Sequence, residues 1–167
     1  MKKIIVIGCP GSGKTTFAKK LSEKNRIPLF HLDSIWHNPD GTHISRAEFD
    51  IRLAEIMENS TWIIDGNYSR TLEMRLSSCD TVFLFDLPVD ICLEGAISRL
   101  GKKRPDFPCL VEELDSDFKQ TIEQFPQKNL PTVYSLLEKY SDKDIIIFKN
   151  REDADFFLTE EKHKYVN

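Results

Sequence analysis

The run Gly8-Cys9-Pro10-Gly11-Ser12-Gly13-Lys14-Thr15 has the spacing G-x-x-x-x-G-K-[ST], which brings backbone N–H groups, an ammonium and a hydroxyl to one point. That set of donors suits a polyphosphate. Three glycines let the backbone turn its N–H groups inward as an anion nest. An apolar run, Ile4-Ile5-Val6-Ile7, leads in, and a helical pattern (Phe17, Ala18, Leu21) leads out. A strand therefore delivers the loop to a sheet edge, and a helix starting near Gly13 aims its positive end at the phosphate. Gly8, Pro10, Gly11, Ser12 and Gly13 form the cradle of this P-loop. Lys14 reaches the β- and γ-phosphates, and the Thr15 hydroxyl takes one position on a Mg²⁺. Thr16 contacts the α-phosphate or caps the helix.

Further groups with chemical potential follow at the ends of apolar runs. Asp33 follows His31-Leu32, where a carboxylate on the acceptor side can orient a hydroxyl or accept its proton. Trp36 offers a stacking surface for an aromatic substrate, or packs on the core. Asp65 and Asp86 both sit where an acid can hold Mg²⁺ beside a P-loop. Asp65 is favoured because Asp65-Gly66-Asn67 allows close backbone approach to a ligand, whereas Asp86-Leu87-Pro88 also reads as a helix cap. Arg70 and Arg75 would clamp an acidic acceptor or serve as surface ion-pair residues. Arg99, Lys102, Lys103 and Arg104 would surround a transferring phosphoryl group on loop closure, strongest for Arg99 and Arg104. The same cations also complement a helix C-terminus. His31, His37 and His43 recur at six-residue intervals, a spacing that no regular element turns into a metal site.

Positioning these groups requires a set of alternating strands and helices. Ile27 to Leu32, Trp62-Ile63-Ile64, Val82 to Phe85 and Ile145 to Phe148 read as strands two to five. Residues 34–42 carry turn chemistry around Asn38-Pro39-Asp40-Gly41 and read as an open loop. Ser45-Arg46-Ala47-Glu48 is a capping box, opening a helix with Ala47, Ile51 and Ala54 on its apolar face. Pro88 opens a helix with Leu93, Ala96, Ile97 and Leu100 inward, stopped by Gly101. Val111, Leu114, Phe118, Ile122 and Phe125 mark an amphipathic helix ended by Pro126. Val133, Leu136, Leu137 and Tyr140 make another. Asn150 caps a closing helix, and the polar tail past Glu160 is expected to fray.

Five nearly continuous apolar strands separated by helices specify an α/β fold, a three-layer α/β/α sandwich on a parallel sheet. The 167 residues suit one domain, 1–167, with an acceptor-side segment at about 31–60 and a basic, proline-interrupted loop after Gly101. Composition is 40% hydrophobic and 30% charged, with a net charge of −4 and no basic stripe, which argues against direct nucleic-acid binding. No apolar run approaches the roughly 18 residues of a membrane span. The four cysteines show no C-x-x-C spacing and read as isolated thiols, so the expected location is cytoplasmic. Oligomeric state is not legible.

The pattern resembles the adenylate-kinase-like branch of P-loop kinases, and within it the DNA topology modulation proteins. The resemblance is carried by Gly8 to Ala18, by His31-Leu32-Asp33 with Trp36, and by Trp62-Ile63-Ile64-Asp65-Gly66-Asn67-Tyr68-Ser69-Arg70. Arg104-Pro105-Asp106, Cys109 and Glu112 or Glu113 complete it. It spans roughly residues 3–158. One departure is Pro108, where the group usually has a glycine before the cysteine. The resemblance implies a sheet order of 2-3-1-4-5, ATP or GTP with Mg²⁺, and a lid at about 101–109. It is consistent with a phosphotransferase moving a γ-phosphate to a nucleotide or other small-molecule acceptor. A nucleotide-dependent regulator acting indirectly on DNA topology or gene expression, or a plain ATPase, are the alternatives.

Overall fold

A computed structural model describes residues 1–160. The expected fraying of the tail falls on 161–167, outside the described residues. Strand β1 (Lys3–Gly8) forms the centre of a parallel sheet, and its residues Ile4 to Ile7 are fully buried. Around it lie β2 (Leu29–His31), β3 (Trp62–Asp65), β4 (Thr81–Phe85) and β5 (Asp144–Phe148), in the order β2-β3-β1-β4-β5. All four pairings are parallel. The order expected from the resemblance is therefore the observed one.

Helix α1 (Lys14–Asn25) carries the chain from β1 two strands over to β2. Helix α4 (Leu72–Ser78) carries it from β3 across β1 to β4, in the opposite lateral direction. Right-handed crossovers place two such helices on opposite faces of the sheet, which makes the sandwich. Phe17 of α1 seats edge-on against Phe83, Phe85 and Phe148, with ring centroids 4.9–5.4 Å apart. Because the chain changes direction at β1, a crevice opens at the carboxyl ends of β1, β3 and β2.

The connections hold several departures from expectation. Leu32 to Trp36 is a one-turn helix, α2 (Leu32–Trp36), rather than a strand end and open loop. Leu32 is fully buried beneath it, and the turn at 38–41 closes as a small hairpin through Asn38 N–H to Thr42 O (2.8 Å). The capping box of α3 (Arg46–Glu58) forms, with Ser45 accepting from the Glu48 N–H. Its inward face is Phe49 and Leu53, while Ala47, Ile51 and Ala54 point to solvent. One large aromatic outweighs two alanines in choosing the helix face. Helix α5 (Val89–Ile97) turns Cys92, Gly95 and Ala96 inward and leaves Ile97 exposed, and it ends before Gly101.

Helix α6 (Ser116–Lys128) starts later than its hydrophobic pattern implied, at an Asp115 cap, and contains Pro126 instead of stopping there. A proline inside a helix strips its i−4 carbonyl of a donor at a cost of about 3 kcal/mol. Here that carbonyl belongs to Ile122, and the Cys9 thiol donates to it at 3.9 Å. Helix α7 (Leu130–Lys139) follows at once. Strand β5 is an edge strand with partly exposed residues, not a buried one. Helix α8 (Arg151–Glu160) is capped as expected, Asn150 Oδ1 accepting from the Asp153 N–H at 2.8 Å. Among the described residues no helix is long and apolar enough to cross a membrane.

Candidate active site

Strand β1 runs straight into the glycine-rich loop, and α1 begins at Lys14 behind a left-handed Gly13 (φ 101°). No side chain caps α1 and no acid occupies its first turn, so its first N–H groups are left for an anion. Gly11 has φ 83°, and a Cβ there would lie 1.9 Å from the Cys92 carbonyl oxygen of α5. The loop is thus pressed backbone to backbone against α5. Arg151, which no sequence motif singles out, bolts the two together. Its Nη2 donates to the carbonyls of Gly11 (2.9 Å) and Ile91 (3.0 Å), and its Nε donates to that of Ser12 (3.4 Å). Lys14 is 8% exposed and donates to the Cys9 carbonyl at 3.4 Å, curled over the loop. Ser12 is fully buried and its hydroxyl has no partner. Cys9 and Cys92 are not isolated. The neighbouring Cys92 thiol and burial push the Cys9 thiol far up, so it stays protonated.

Parallel pairing brings the acidic strand ends to the same edge. Val6 of β1 registers with Asp65 of β3, and Asp65 with His31 of β2. Asp65 Oδ2 accepts from the Thr15 hydroxyl at 2.7 Å and contacts His31 Nδ1 at 3.0 Å. Its Oδ1 is buried without a partner. A lone buried carboxylate oxygen beside a hydroxyl is a hard-oxygen donor set. It fits Mg²⁺, which takes few protein ligands and completes its shell with phosphate oxygens and water. Among the described residues no group of three or more His, Cys, Asp or Glu is placed to hold a metal ion. Asp86, the competing acid, is committed elsewhere: it accepts from Tyr134 Oη (2.5 Å) and pairs with Lys149. It does not cap α5, where Pro88 holds that position.

Asp33 lies on α2 and shares with Pro10, Lys14, Thr15, Asn67 and Tyr68 the lining of a cleft of 460 Å³. Tyr68 Oη donates to Asp33 Oδ1 at 2.9 Å. Burial, then the Asp33 charge, pushes the phenol up, so it remains a donor. Gly66 (φ 142°) lets the backbone pass against Leu32, with a Cβ position only 2.9 Å from that side chain.

Arg75 is the fully buried organiser of this turn and neither clamps a ligand nor pairs on the surface. It donates to the carbonyls of Gly66 (2.9 Å), Tyr68 (2.8 Å) and Thr71 (3.3 Å). Burial lowers its pKa to about 10, which still leaves it charged at neutral pH. Replacing it by leucine orphans the Gly66 carbonyl. With roughly 1–3 kcal/mol per buried unpaired acceptor plus the lost shape, Arg75→Leu is expected to destabilise by about 2–4 kcal/mol. That corresponds to a fall in melting temperature of roughly 5–15 °C, read by thermal unfolding. An unchanged melting temperature would refute the organising role.

The remaining residues divide. Arg70 is outside the cleft, forked onto Asp50 at 2.6 and 2.9 Å on the surface. Trp36 is also outside its lining, stacked on His43 (4.5 Å) and edge-on to Phe49. Thr16 borders a second cleft of 260 Å³ behind the P-loop, together with Gly13, Lys20 and Arg151. Arg99 borders both clefts, and its pKa is lowered by burial and then by the Arg104 charge. Arg104 lines the larger cleft, paired with Asp106 (2.9 Å) and lying over Phe107 (5.4 Å). The loop that holds it is closed at its base by Gly101 N–H to Val111 O (2.9 Å). It docks onto the acceptor side through Ser34 Oγ to Asp106 O (2.9 Å) and Cys109 Sγ to Asn38 O (3.3 Å).

No family model matches the chain. The adenylate kinase of Thermotoga neapolitana is 31% identical over 88 residues, covering 52% of this chain and 39% of that protein. The adenylate kinase of Pseudothermotoga lettingae is 25% identical over 108 residues, covering 60% and 48% respectively. The matched stretch thus spans less than half of these relatives. Among solved structures, shikimate kinase from Acinetobacter baumannii, in complex with shikimate, matches with a TM-score of 0.64 at 18% identity, covering 100% of this chain and 96% of that one. Shikimate kinase from Aquifex aeolicus matches with a TM-score of 0.52 at 20% identity, covering 98% and 99%. The chain has the fold of P-loop kinases.

Proposed function

We propose that the protein is a phosphotransferase that moves the γ-phosphate of ATP, or of GTP, to a hydroxyl of a small-molecule acceptor. One observation carries the reading: a single cleft runs from Lys14 and Thr15 to Asp33, with Asp65 hydrogen-bonded to Thr15. A loop built only to hold phosphate has no need of a carboxylate across an open cavity. In this reading the nest and Lys14 hold the β- and γ-phosphates, and Thr15 with Asp65 holds Mg²⁺, which when bound neutralises phosphate charge. Arg99 and Arg104 approach the equatorial oxygens from the lid, and Arg104 exchanges its pairing with Asp106 for the phosphoryl group. Asp33, oriented by Tyr68, accepts the acceptor's proton.

At the finer level of sequence group, we assign the chain to the DNA topology modulation proteins on its 62–70 motif. The net charge of −4 favours an indirect effect on DNA in that case, and a gel shift with steep salt dependence would speak against it. We also assign it to the cytoplasm, on the strength of four free cysteines.

The test of the main reading is ADP release from ATP-Mg²⁺ across a panel of nucleosides, nucleotides and small hydroxyl metabolites. Release that depends on one acceptor class, with the phosphorylated product seen by mass spectrometry, is the expected result. Hydrolysis indifferent to every acceptor would leave a plain ATPase.

A further inference from the structure

The charge of the acceptor half points to a substrate class. Kinases and carriers that hold a phosphorylated or carboxylated molecule do so with arginine forks, which match such oxyanions two bonds at a time. The acceptor half of this cleft offers none. Arg70 is forked onto Asp50 outside it, and Arg75 is buried and spent on backbone carbonyls. The cations that do line the cleft are Lys14, Arg99, Lys102 and Arg104. The first belongs to the phosphate nest, Arg99 also borders the second cleft behind the P-loop, and Lys102 and Arg104 lie on the lid. Arg104 is paired with Asp106 and leaves it only for the phosphoryl group.

Opposite them stand groups that repel or ignore an anion. Asp33 is a carboxylate whose second neighbour in the cleft wall, His37, has its pKa lowered below the usual 6.5 by burial, with Asp33 opposing and His43 adding to the fall. The imidazole is therefore neutral at pH 7. It packs against Phe107 at 4.8 Å, so this wall is aromatic. Glu113 and Asp115 add negative charge at the rim, and Leu114 adds apolar surface between them. Asn67 lines the same cleft, and its buried Oδ1 has no hydrogen-bond donor among the described residues. It awaits an O–H or N–H.

We infer that the acceptor is an uncharged or cationic hydroxyl compound with an aromatic or apolar body, and not a phosphate or carboxylate ester or acid. The inference rests on the phosphotransferase reading and narrows it. In the step, the acceptor oxygen bonds to Pγ and the bond from Pγ to the β–γ bridging oxygen breaks. ADP leaves with that electron pair, and the hydroxyl proton passes to the Asp33 carboxylate. An anionic acceptor would have to bring a second charge beside that carboxylate, and the cations of the cleft, Lys14, Arg99, Lys102 and Arg104, are the ones this reading commits to the transferring phosphoryl group.

The experiment compares matched pairs in the same ATP-Mg²⁺ assay: nucleosides against their own 5′-monophosphates, and an amino sugar against the corresponding sugar acid. The expected result is a kcat/KM for the neutral or cationic member higher by at least roughly a hundred-fold, the scale of an uncompensated like-charge contact. Equal or greater use of the anionic members would overturn the inference while leaving the protein a kinase. Absence of transfer to any member, with acceptor-independent hydrolysis instead, would remove the kinase reading and this inference with it.

Discussion

Lys14→Ala is expected to lower turnover by roughly 10²–10³-fold, the loss that follows removal of one preorganised donor from a transition-state oxyanion. The side chain is buried to 8% exposure, at the mouth of a nest whose own N–H groups carry no compensating charge. Its ammonium bonds only the Cys9 carbonyl at 3.4 Å, a weak contact that a phosphate oxygen readily replaces. Calorimetry should show nucleotide binding lost or greatly weakened, while circular dichroism and the melting temperature stay close to the parent. Arginine is not expected to rescue it, because a planar fork cannot take the place of a compact point charge in a closed nest. A variant that bound ATP as the parent does would show that the loop is a turn and no more.

Asp33→Asn separates the two halves of the cleft. Loss of a positioned general base costs typically 10²–10⁴-fold, so transfer to the acceptor should fall by about that much. Nucleotide affinity should be unchanged, since α2 contributes nothing to the phosphate nest. The amide oxygen still accepts from Tyr68, so folding is not the confounder it would be for alanine. Transfer at the parental rate on the true acceptor would displace Asp33 from the chemistry and leave it a partner of Tyr68.

What could be read in advance was what is local. The P-loop, the strand end at Asp65, the Ser45 and Asn150 caps and the turn at 38–41 are each set by a few neighbouring residues, whereas Asp33 falls on the one-turn helix α2 and not on a strand end. The parallel order then brought Thr15, Asp65 and His31 together through register alone. Legibility ended where a partner is far away in sequence. Arg75 reads from sequence as a ligand clamp or a surface ion-pair residue and Arg151 carries no signal, because their acceptors are backbone carbonyls, which leave no trace in residue type. Pro126 reads as the end of α6, and the weak donor that meets the Ile122 carbonyl it strips is the Cys9 thiol, 113 residues upstream of Ile122. The face of α3 was misjudged for another reason. Two phases of the helical repeat were both apolar, and Phe49 decided between them through contacts with Trp36 and Tyr68.

The Arg151 clamp also bears on how the protein is made. Its bonds to Gly11 and Ser12 span 140 and 139 residues, so no shorter stretch of chain contains a complete phosphate loop. During synthesis the glycine-rich segment emerges early, and its guanidinium bolt emerges only after all five strands. A growing chain therefore exposes the P-loop sequence long before the loop is pinned, and nucleotide can steady it only once β5 has been added and α8 has begun to fold. In the phosphotransferase reading, nucleotide would thus bind only a chain whose loop is pinned, selecting the assembled sheet over shorter intermediates on the ribosome.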